Sequence, residues 1–233
     1  MSATPMTELD YRSKASAYFS VPRSEMLPYI PATCRRLLEV GCGIGRFGET
    51  LKQTRNMEVW GVEPLASAAQ VAATKLDHVT TGLFDPQNGL PEASFDCIVF
   101  NDVLEHMVAP EKALQYAKKL LSPGGTVVAS IPNIRHVAVL WQLGFHGRWE
   151  YTDWGLLDRT HLRFFTKSNI VDMFKNEGYV IERVSGINFF VGNPPLNRTV
   201  WRLYRLLNAC CFGKLNDMGF QQFAVVAKTT ATL

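Results

Sequence analysis

The stretch LLEVGCGIGRFGETL, residues 37–51, decides the fold of this chain. It opens with a short apolar run, passes through closely spaced glycines, and continues with the mixed polar and apolar spacing of a helix. A strand that leads into a helix through a glycine-rich turn is typical of open α/β sheets, where ligands bind beyond the carboxyl ends of the strands. Glycine permits the tight backbone geometry of such a turn and the close approach of a ligand. We therefore expect a nucleotide site here.

Two nucleotide-binding patterns overlap in this turn. Gly43, Gly45 and Gly48 form the GxGxxG pattern of dinucleotide sites, whereas Glu39 and the alternating glycines after it form ExGxGxG, which indicates S-adenosylmethionine. A dinucleotide carries two phosphates, which are bound by helix amides and disfavoured by an added negative charge. S-adenosylmethionine carries a sulfonium and an ammonium group, beside which a carboxylate is favourable. Glu39 therefore favours the second pattern over a nicotinamide-dependent oxidoreductase.

Strand and helix patterns alternate along most of the chain. Strands are predicted over 36–40, 58–64, 78–82, 95–102, 125–133, 180–186 and 222–228, and helices over 47–54, 65–76, 109–125 and 166–179. This alternation predicts an α/β fold with a doubly wound, Rossmann-like sheet. Thr166 is the expected N-cap of the last of these helices, and Gly178 the residue that ends it.

The same patterns divide the chain into four parts. We expect a helical lid segment at 1–34, the cofactor-binding half of the sheet at 35–133, an aromatic cap insertion at 134–165, and the second half of the sheet at 166–233 with a helical insertion at 187–220. Insertions at the ligand edge of a sheet commonly carry specificity. In the first part, Tyr11, Tyr18 and Arg23 are interpreted either as a cover over the cofactor, with Arg23 at its carboxylate, or as a surface segment.

Composition excludes several classes of protein. The 233 residues are 47% hydrophobic and 19% charged, as in a globular protein, and the net charge of +3 is too small to indicate a nucleic-acid partner. The five cysteines form no CxxC or Cys/His ligand spacing, so we expect reduced thiols, no disulfide and no zinc site, and the lack of an acidic cluster of octahedral type predicts no catalytic metal. Neither a signal peptide nor an 18-residue apolar window is found, which predicts a soluble, cytoplasmic protein.

Several motifs in order carry a family resemblance. They are Glu39-x-Gly41-x-Gly43-x-Gly45, Glu63-Pro64, FDCIVFNDVLEHM at 95–107 and LLSPGGTVVASIPN at 120–133. Together they resemble the class I S-adenosylmethionine-dependent methyltransferases over roughly residues 35–230. The resemblance implies a seven-stranded sheet whose last strand is antiparallel, with S-adenosylmethionine as the cofactor.

The resemblance also implies which residues hold that cofactor. Glu39 and the turn from Gly41 to Gly45, which includes Cys42, would line its methionine end, although Cys42 is given no chemical role. Glu63, followed by Pro64, would bind the ribose, and either Phe84 or Asp85 would meet the adenine. The residues expected to lie under the cofactor are Asn101, Asp102 and Val103.

Methyl transfer to a hydroxyl requires a proton acceptor. The candidate bases are His106, His136, His146 and His161, with Asp158 as a carboxylate partner. Asp158 and His161 are three residues apart and could share one face of a helical turn. One interpretation is a catalytic pair in which Asp158 orients the imidazole of His161. The other is that Asp158 caps a turn and His161 packs structurally.

The cap gives a weaker indication of the acceptor. Its aromatic and arginine residues could stack on a ring or sugar and bind a phosphate, or they could simply form a small core. The segments SIPNIRH, GRWEY and GLLDRTHLRFFT are similar to methyltransferases of bacterial surface-polysaccharide clusters, and more broadly to the ubiquinone-pathway O-methyltransferases. This similarity implies a sugar hydroxyl on a nucleotide- or lipid-linked saccharide. The alternatives are a quinone-type aromatic acceptor and a non-catalytic scaffold that binds S-adenosylmethionine.

The second insertion contains an amphipathic pattern over residues 197–212. Arg198, Arg202 and Arg205 recur on one face and apolar residues on another. A basic amphipathic helix can rest on an anionic membrane surface, but packing against its own domain is the favoured interpretation.

Overall fold

The computed structural model describes residues 21–189 and 198–229. Tyr11, Tyr18 and most of the expected lid segment lie outside the described residues. The described part is built on one seven-stranded sheet in the order β3-β2-β1-β4-β5-β7-β6. The strands are β1 (Arg36–Val40), β2 (Glu58–Glu63), β3 (His78–Thr81), β4 (Phe95–Asn101), β5 (Leu121–Pro132), β6 (Tyr179–Phe189) and β7 (Phe220–Thr229). β7 runs antiparallel to both β5 and β6, which confirms the predicted topology.

Six α-helices connect these strands in the described ranges. They are α1 (Arg46–Thr54), α2 (Ala66–Ala72), α3 (Pro110–Leu120), α4 (Val137–His146), α5 (Lys167–Asn176) and α6 (Arg198–Cys210). Short 3-10 helices lie at Ser24–Tyr29, Pro86–Asn88, Leu104–His106 and Asn216–Gly219. As predicted, the Thr166 hydroxyl accepts the Asn169 N–H at 3.4 Å, and Gly178 adopts a left-handed φ of 72° just beyond α5.

Several predicted boundaries were wrong. α3 ends at Leu120 rather than at 125, because the residue before Pro123 is biased toward extended backbone, and β5 already begins at Leu121. α2 ends at Ala72 rather than at 76. β6 continues beyond 186 to Phe189, where it still pairs with Phe220 of β7, so the second insertion starts later than expected.

The central strands are buried on both faces. Four successive residues of β4, from Cys97 to Phe100, are fully buried, as expected for a parallel strand covered by helices on both sides. α1 approaches this sheet closely at Gly48, where an added Cβ would lie 2.6 Å from Leu76 Cδ2 and 2.8 Å from Val59 Cγ1. The last glycine of the GxGxxG pattern therefore serves helix–sheet packing.

Strand order reverses at β1, which has β2 on one side and β4 on the other. The connections leave β1 and β4 in opposite directions, and this leaves a crevice beyond their carboxyl ends. The cap also starts and ends there, because Asn133 and Phe165 form an isolated parallel bridge. Among the helices of the described residues, none has the length and apolar character needed to cross a membrane.

Candidate active site

A cavity of about 1080 Å³ occupies this crevice. Its lining contains nearly all the residues that sequence analysis assigned to the cofactor: Arg23, Glu39, Gly41, Cys42, Gly43, Glu63, Pro64, Phe84, Asp85, Asn101, Asp102 and Val103. The exception is Gly45, which lies at the N-cap of α1 with a φ of 76°. Gly45 therefore shapes the turn, while the glycines before it face the cavity.

The glycine turn has a backbone that other residues would strain. Gly41 and Gly43 have φ values of 70° and 53°, in the left-handed region. A Cβ on Gly41 would also lie 2.7 Å from Cγ2 of Val103. The turn can therefore lie close to the end of β4 and still leave room for a ligand.

Glu63 holds the turn in place from the end of β2. Its Oε2 accepts the N–H of Gly43 at 2.9 Å, and its Oε1 accepts the N–H of Leu65 at 2.9 Å. Burial raises the pKa of Glu63, while these two backbone hydrogen bonds oppose the shift. The carboxylate thus joins the glycine turn to the cavity wall where the ribose is expected.

Replacing Glu63 by Gln is expected to weaken S-adenosylmethionine binding by between about 10-fold and 100-fold. The amide keeps one acceptor oxygen but loses the second hydrogen bond and the charge, and hydrogen bonds to charged groups contribute about 1.5–3 kcal/mol. Isothermal titration would measure the Kd. Glu58→Gln is the matched control, because Glu58 lies at the other end of β2 and pairs with Arg36. Equal affinities of the two variants would contradict this role.

The buried polar groups beside the glycine turn would be stabilised by a bound ligand. Glu39 is only 3% exposed, and among the described residues its Oε2 has no hydrogen-bond partner. The side-chain nitrogen and oxygen of Asn101 are also shielded from solvent, and neither has a close hydrogen-bond partner among the described residues. Burial raises the pKa of Glu39 to about 8, and the Gly48 N–H and the Asn101 side chain offset this shift only in part. A cationic group in the cavity would restore a favourable partner to this carboxylate, so the residues fit the charged methionine end of S-adenosylmethionine.

Arg23 enters the cavity from the N-terminal side but has an anionic partner within the protein. Its guanidinium forms an ion pair with Asp102 and donates to Ser130 Oγ at 2.8 Å and to Gln222 Oε1 at 3.2 Å. Gln222 also donates to both oxygens of Asp102 at 2.9 Å. This network fixes the 3-10 helix after Arg23 against the end of β4. Contact between Arg23 and the cofactor carboxylate stays a prediction.

Phe84 and Asp85 occupy different positions at the expected adenine edge. The Phe84 ring packs against Tyr116 and Phe100, with centroid distances of 4.9 and 5.6 Å. The Asp85 carboxylate instead accepts the N–H of Gln87 and caps the following 3-10 helix. Phe84 therefore offers a fixed ring face at the cavity wall, and which of the two meets the adenine stays a prediction.

The candidate bases are distributed over two places. His106 and His161 lie together, with ring centroids 4.7 Å apart, and His106 lines the cavity. His136 is the N-cap of α4, and its Nδ1 accepts the N–H of Ala138 at 3.4 Å. His146 is exposed at the C-terminal end of α4. Burial lowers the pKa of His106 and His136 to about 4 each, so both imidazoles are neutral at pH 7. Of these histidines, His106 is the one whose side chain lines the cavity.

Asp158 acts on this region through a turn. Its Oδ1 accepts the N–H and the hydroxyl of Thr160, at 2.9 and 2.7 Å. The carbonyl of Thr160 lies 3.1 Å from His106 Nδ1, and the N–H of His161 donates to the Asp158 carbonyl at 2.9 Å. Asp158 is thus a turn cap that positions His106, in agreement with the structural interpretation of this residue. A catalytic role for Asp158 or His161 stays a prediction.

Sequence analysis missed Glu105. This residue is 1% exposed, and its Oε1 lies 3.9 Å from Nε2 of His161. Neither oxygen has a hydrogen-bond partner within the part of the chain that the structure describes. Burial, followed by the negative charge of Asp102, raises its pKa well above the usual range. The one signal in the sequence was a carboxylate placed directly before the candidate base His106.

Comparisons with known proteins agree with this geometry. A family model described as a methyltransferase domain matches residues 11–184. The chain is similar to the ubiquinone biosynthesis O-methyltransferase of Paramagnetospirillum magneticum, with 29% identity over 199 residues, covering 82% of this chain and 74% of the relative. The protein of the same name from Chromobacterium violaceum is 29% identical over 181 residues, covering 74% of this chain and 72% of the relative.

Solved structures show the same fold. A SAM-dependent methyltransferase from Archaeoglobus fulgidus superposes with a TM-score of 0.66 at 19% identity, covering 92% of this chain and 95% of that one. Phosphoethanolamine N-methyltransferase 2 of Haemonchus contortus, solved in complex with S-adenosyl-L-methionine, gives a TM-score of 0.57 at 16% identity. That match covers 88% of this chain and 51% of the other.

Proposed function

The chain belongs to the class I S-adenosylmethionine-dependent methyltransferases, and from this premise we propose that it methylates a phenolic hydroxyl of a small aromatic acceptor. The observation that carries the proposal is the composition of the cavity beyond the cofactor residues. There, the cavity is lined by the apolar side chains of Met107, Val108 and Leu162, the buried His106 and the exposed Trp154. Such a lining suits an aromatic ring with one hydroxyl directed at a polar group.

The main contribution of the protein to the reaction would be to position the cofactor and the acceptor. S-adenosylmethionine supplies a methyl group that its sulfonium activates for displacement. Glu39, Asn101 and Glu63 would hold that cofactor beside the turn, and the apolar end of the cavity would orient the acceptor. Alignment of this kind contributes about 7–11 kcal/mol in favourable intramolecular reactions. The cluster of Glu105, His106 and His161 is the proposed place where the hydroxyl is activated.

The relatives support a phenolic acceptor over the saccharide that sequence analysis favoured. Both relatives described above are ubiquinone biosynthesis O-methyltransferases, and neither name refers to a sugar. The saccharide acceptor, nucleotide- or lipid-linked, therefore stays a prediction. Trp154, whose side chain is exposed at the cavity edge, is the feature that would serve it, because an indole face can stack on a sugar as well as on a ring.

Incubation of the purified protein with methyl-labelled S-adenosylmethionine and two acceptor sets tests the proposal. One set contains catechols and alkyl-substituted dihydroxybenzoates, and the other contains nucleotide sugars. We expect label in the phenolic set, at a rate at least ten times that in the sugar set. Label in the sugars alone would overturn the acceptor class. Normal cofactor binding without transfer to either set would overturn the proposal in favour of a scaffold.

A further inference from the structure

We infer that Glu105, His106 and His161 form a binding site for one divalent transition-metal ion at the acceptor end of the cavity. All three side chains are buried, at 1%, 7% and 8% exposure. One ligand atom from each lies within 4.8 Å of the other two. No metal was predicted from the sequence, because it shows neither a Cys/His ligand spacing nor an acidic cluster, and His161 is far along the chain from the adjacent Glu105 and His106.

The spacing of the ligand atoms fits a shared ion better than a direct contact. Glu105 Oε1 and His161 Nε2 are 3.9 Å apart, which is too long for a hydrogen bond. Zinc binds imidazole nitrogen and carboxylate oxygen at about 2.0–2.2 Å, which places two ligands of one tetrahedral ion about 3.4 Å apart. A contraction of about half an ångström would therefore bring both atoms to a common ion.

The outer hydrogen bonds hold both imidazoles as a metal site requires. His106 Nδ1 lies 3.1 Å from the Thr160 carbonyl, and His161 Nδ1 lies 3.2 Å from the Leu156 carbonyl. A carbonyl only accepts, so each Nδ1 carries the proton and Nε2 is the unprotonated nitrogen of each neutral imidazole. Metal-binding histidines commonly donate their second nitrogen to a backbone carbonyl in this way.

The buried carboxylate of Glu105 is a second, independent indication of a bound cation. A buried carboxylate whose two oxygens have no hydrogen-bond partner among the described residues is unfavourable, because desolvation is not offset. Arg23, the nearby cation, is already paired with Asp102. A divalent ion between Glu105 and the two histidines would provide the missing positive charge.

The ligand set indicates the class of ion. Two imidazoles and one carboxylate suit Zn²⁺ or Fe²⁺, whereas Mg²⁺ and Ca²⁺ prefer oxygen ligands throughout. The protein would supply three ligands, which would leave a coordination position open, and of the three residues His106 is the one that lines the cavity. Three protein ligands with an open position are typical of catalytic rather than structural zinc.

The consequence for methyl transfer rests on the proposed function. A cation at this point would lower the pKa of an acceptor hydroxyl directed at it. The O–H bond breaks, its proton passes to water, and the electron pair stays on oxygen. That oxygen forms the new C–O bond as the C–S bond breaks and its electron pair returns to sulfur. Metal binding itself does not depend on which acceptor is methylated.

The test is binding of Zn²⁺ and Co²⁺ to untagged protein after dialysis against a chelator. Cys210 and Cys211 are exposed and are replaced by Ser in every sample, because surface thiols bind zinc. We expect one Zn²⁺ per chain by equilibrium dialysis with mass spectrometry, and a Co²⁺ absorption spectrum of nitrogen and oxygen ligands. Glu105→Gln and His161→Asn should each weaken the Kd by about 100-fold.

A matched control is available on the surface. His78 lies 3.3 Å from Glu58 in an exposed histidine–glutamate pair, and His78→Gln should leave zinc binding unchanged. Circular dichroism confirms that each variant is folded, and the Co²⁺ spectrum of the otherwise unaltered protein reports the ligands without any change at the cluster. Absence of stoichiometric binding, or equal binding by the cluster variants and the control, would overturn the inference. Failure of every acceptor assay with normal metal binding would overturn only the proposed function.

Discussion

His161→Gln is expected to lower kcat by about 100-fold or more, while the Kd for S-adenosylmethionine changes by less than about 2-fold. His161 is absent from the cavity wall that holds the cofactor residues, but its ring packs on His106 and its Nε2 faces Glu105. Activation of a hydroxyl by positioned groups typically contributes about 10²–10⁴-fold. Initial rates of label transfer give kcat, and titration calorimetry gives the Kd.

A loss of catalytic activation can be separated from a general structural defect. If His161 serves activation, the difference between the variant and the wild type should shrink as the pH approaches the pKa of the acceptor hydroxyl, because the acceptor is then ionised without help. A packing defect would lower the rate equally at all pH values. His78→Gln is the control and should keep full activity. An unchanged kcat in His161→Gln would remove this residue from the mechanism.

Glu39→Gln is expected to remove a pH dependence of stability in the cofactor-free protein. Burial raises the folded-state pKa of Glu39 from 4.5 to about 8. The folded protein therefore holds a proton that the unfolded chain releases, and this contribution to stability is complete below pH 4.5 and is lost as pH rises through 8. Between pH 6.5 and pH 8 the loss is about 1–2 kcal/mol, and across the full range it approaches about 5 kcal/mol.

Urea unfolding of both proteins at pH 5, 6.5 and 8 measures this effect. The Gln variant should resemble the wild type at pH 5 and exceed it by several kcal/mol, about 3–5, at pH 8. Other groups titrate in both proteins, so the difference isolates Glu39. Glu58→Gln, on a surface strand position, should show no such divergence. Parallel pH profiles of wild type and Glu39→Gln would contradict the assignment of a buried, protonated carboxyl group.

The cofactor half of the site could be predicted from the sequence because short sequence patterns at the ends of neighbouring strands form it. Gly41 and Gly43 require left-handed backbone conformations within one turn, and Glu39 precedes that turn by two residues. Glu63 ends the neighbouring strand, and parallel strands bring their carboxyl ends to one edge. Spacing and periodicity therefore specified this edge of the sheet, whereas the antiparallel last strand was implied by the family resemblance.

Arg23 shows where the sequence alone was insufficient. One interpretation of the sequence placed Arg23 at the cofactor carboxylate, which stays a prediction, and the tertiary structure places Asp102, Ser130 and Gln222 around its guanidinium. Asp102 directly follows β4, whereas Ser130 and Gln222 lie in β5 and β7, so their meeting depends on the order of strands across the sheet. The boundary of β6 has a similar origin, because pairing with β7 extends it beyond the apolar pattern that predicted its end.

Which residues meet at the acceptor end of the cavity could be learned from the tertiary structure alone. Glu105 and His161 are far apart in sequence, and they meet because the N–H groups of Leu162 and Arg163 donate to the Glu105 carbonyl at 2.8 and 3.0 Å. A backbone contact of this kind leaves no periodicity in the sequence. The sequence by itself determined the fold, the cofactor and the residues of the glycine turn. The tertiary structure decided which histidines face each other and which buried carboxylate lies between them, because desolvation and ligand geometry depend on neighbours that only the folded cap provides.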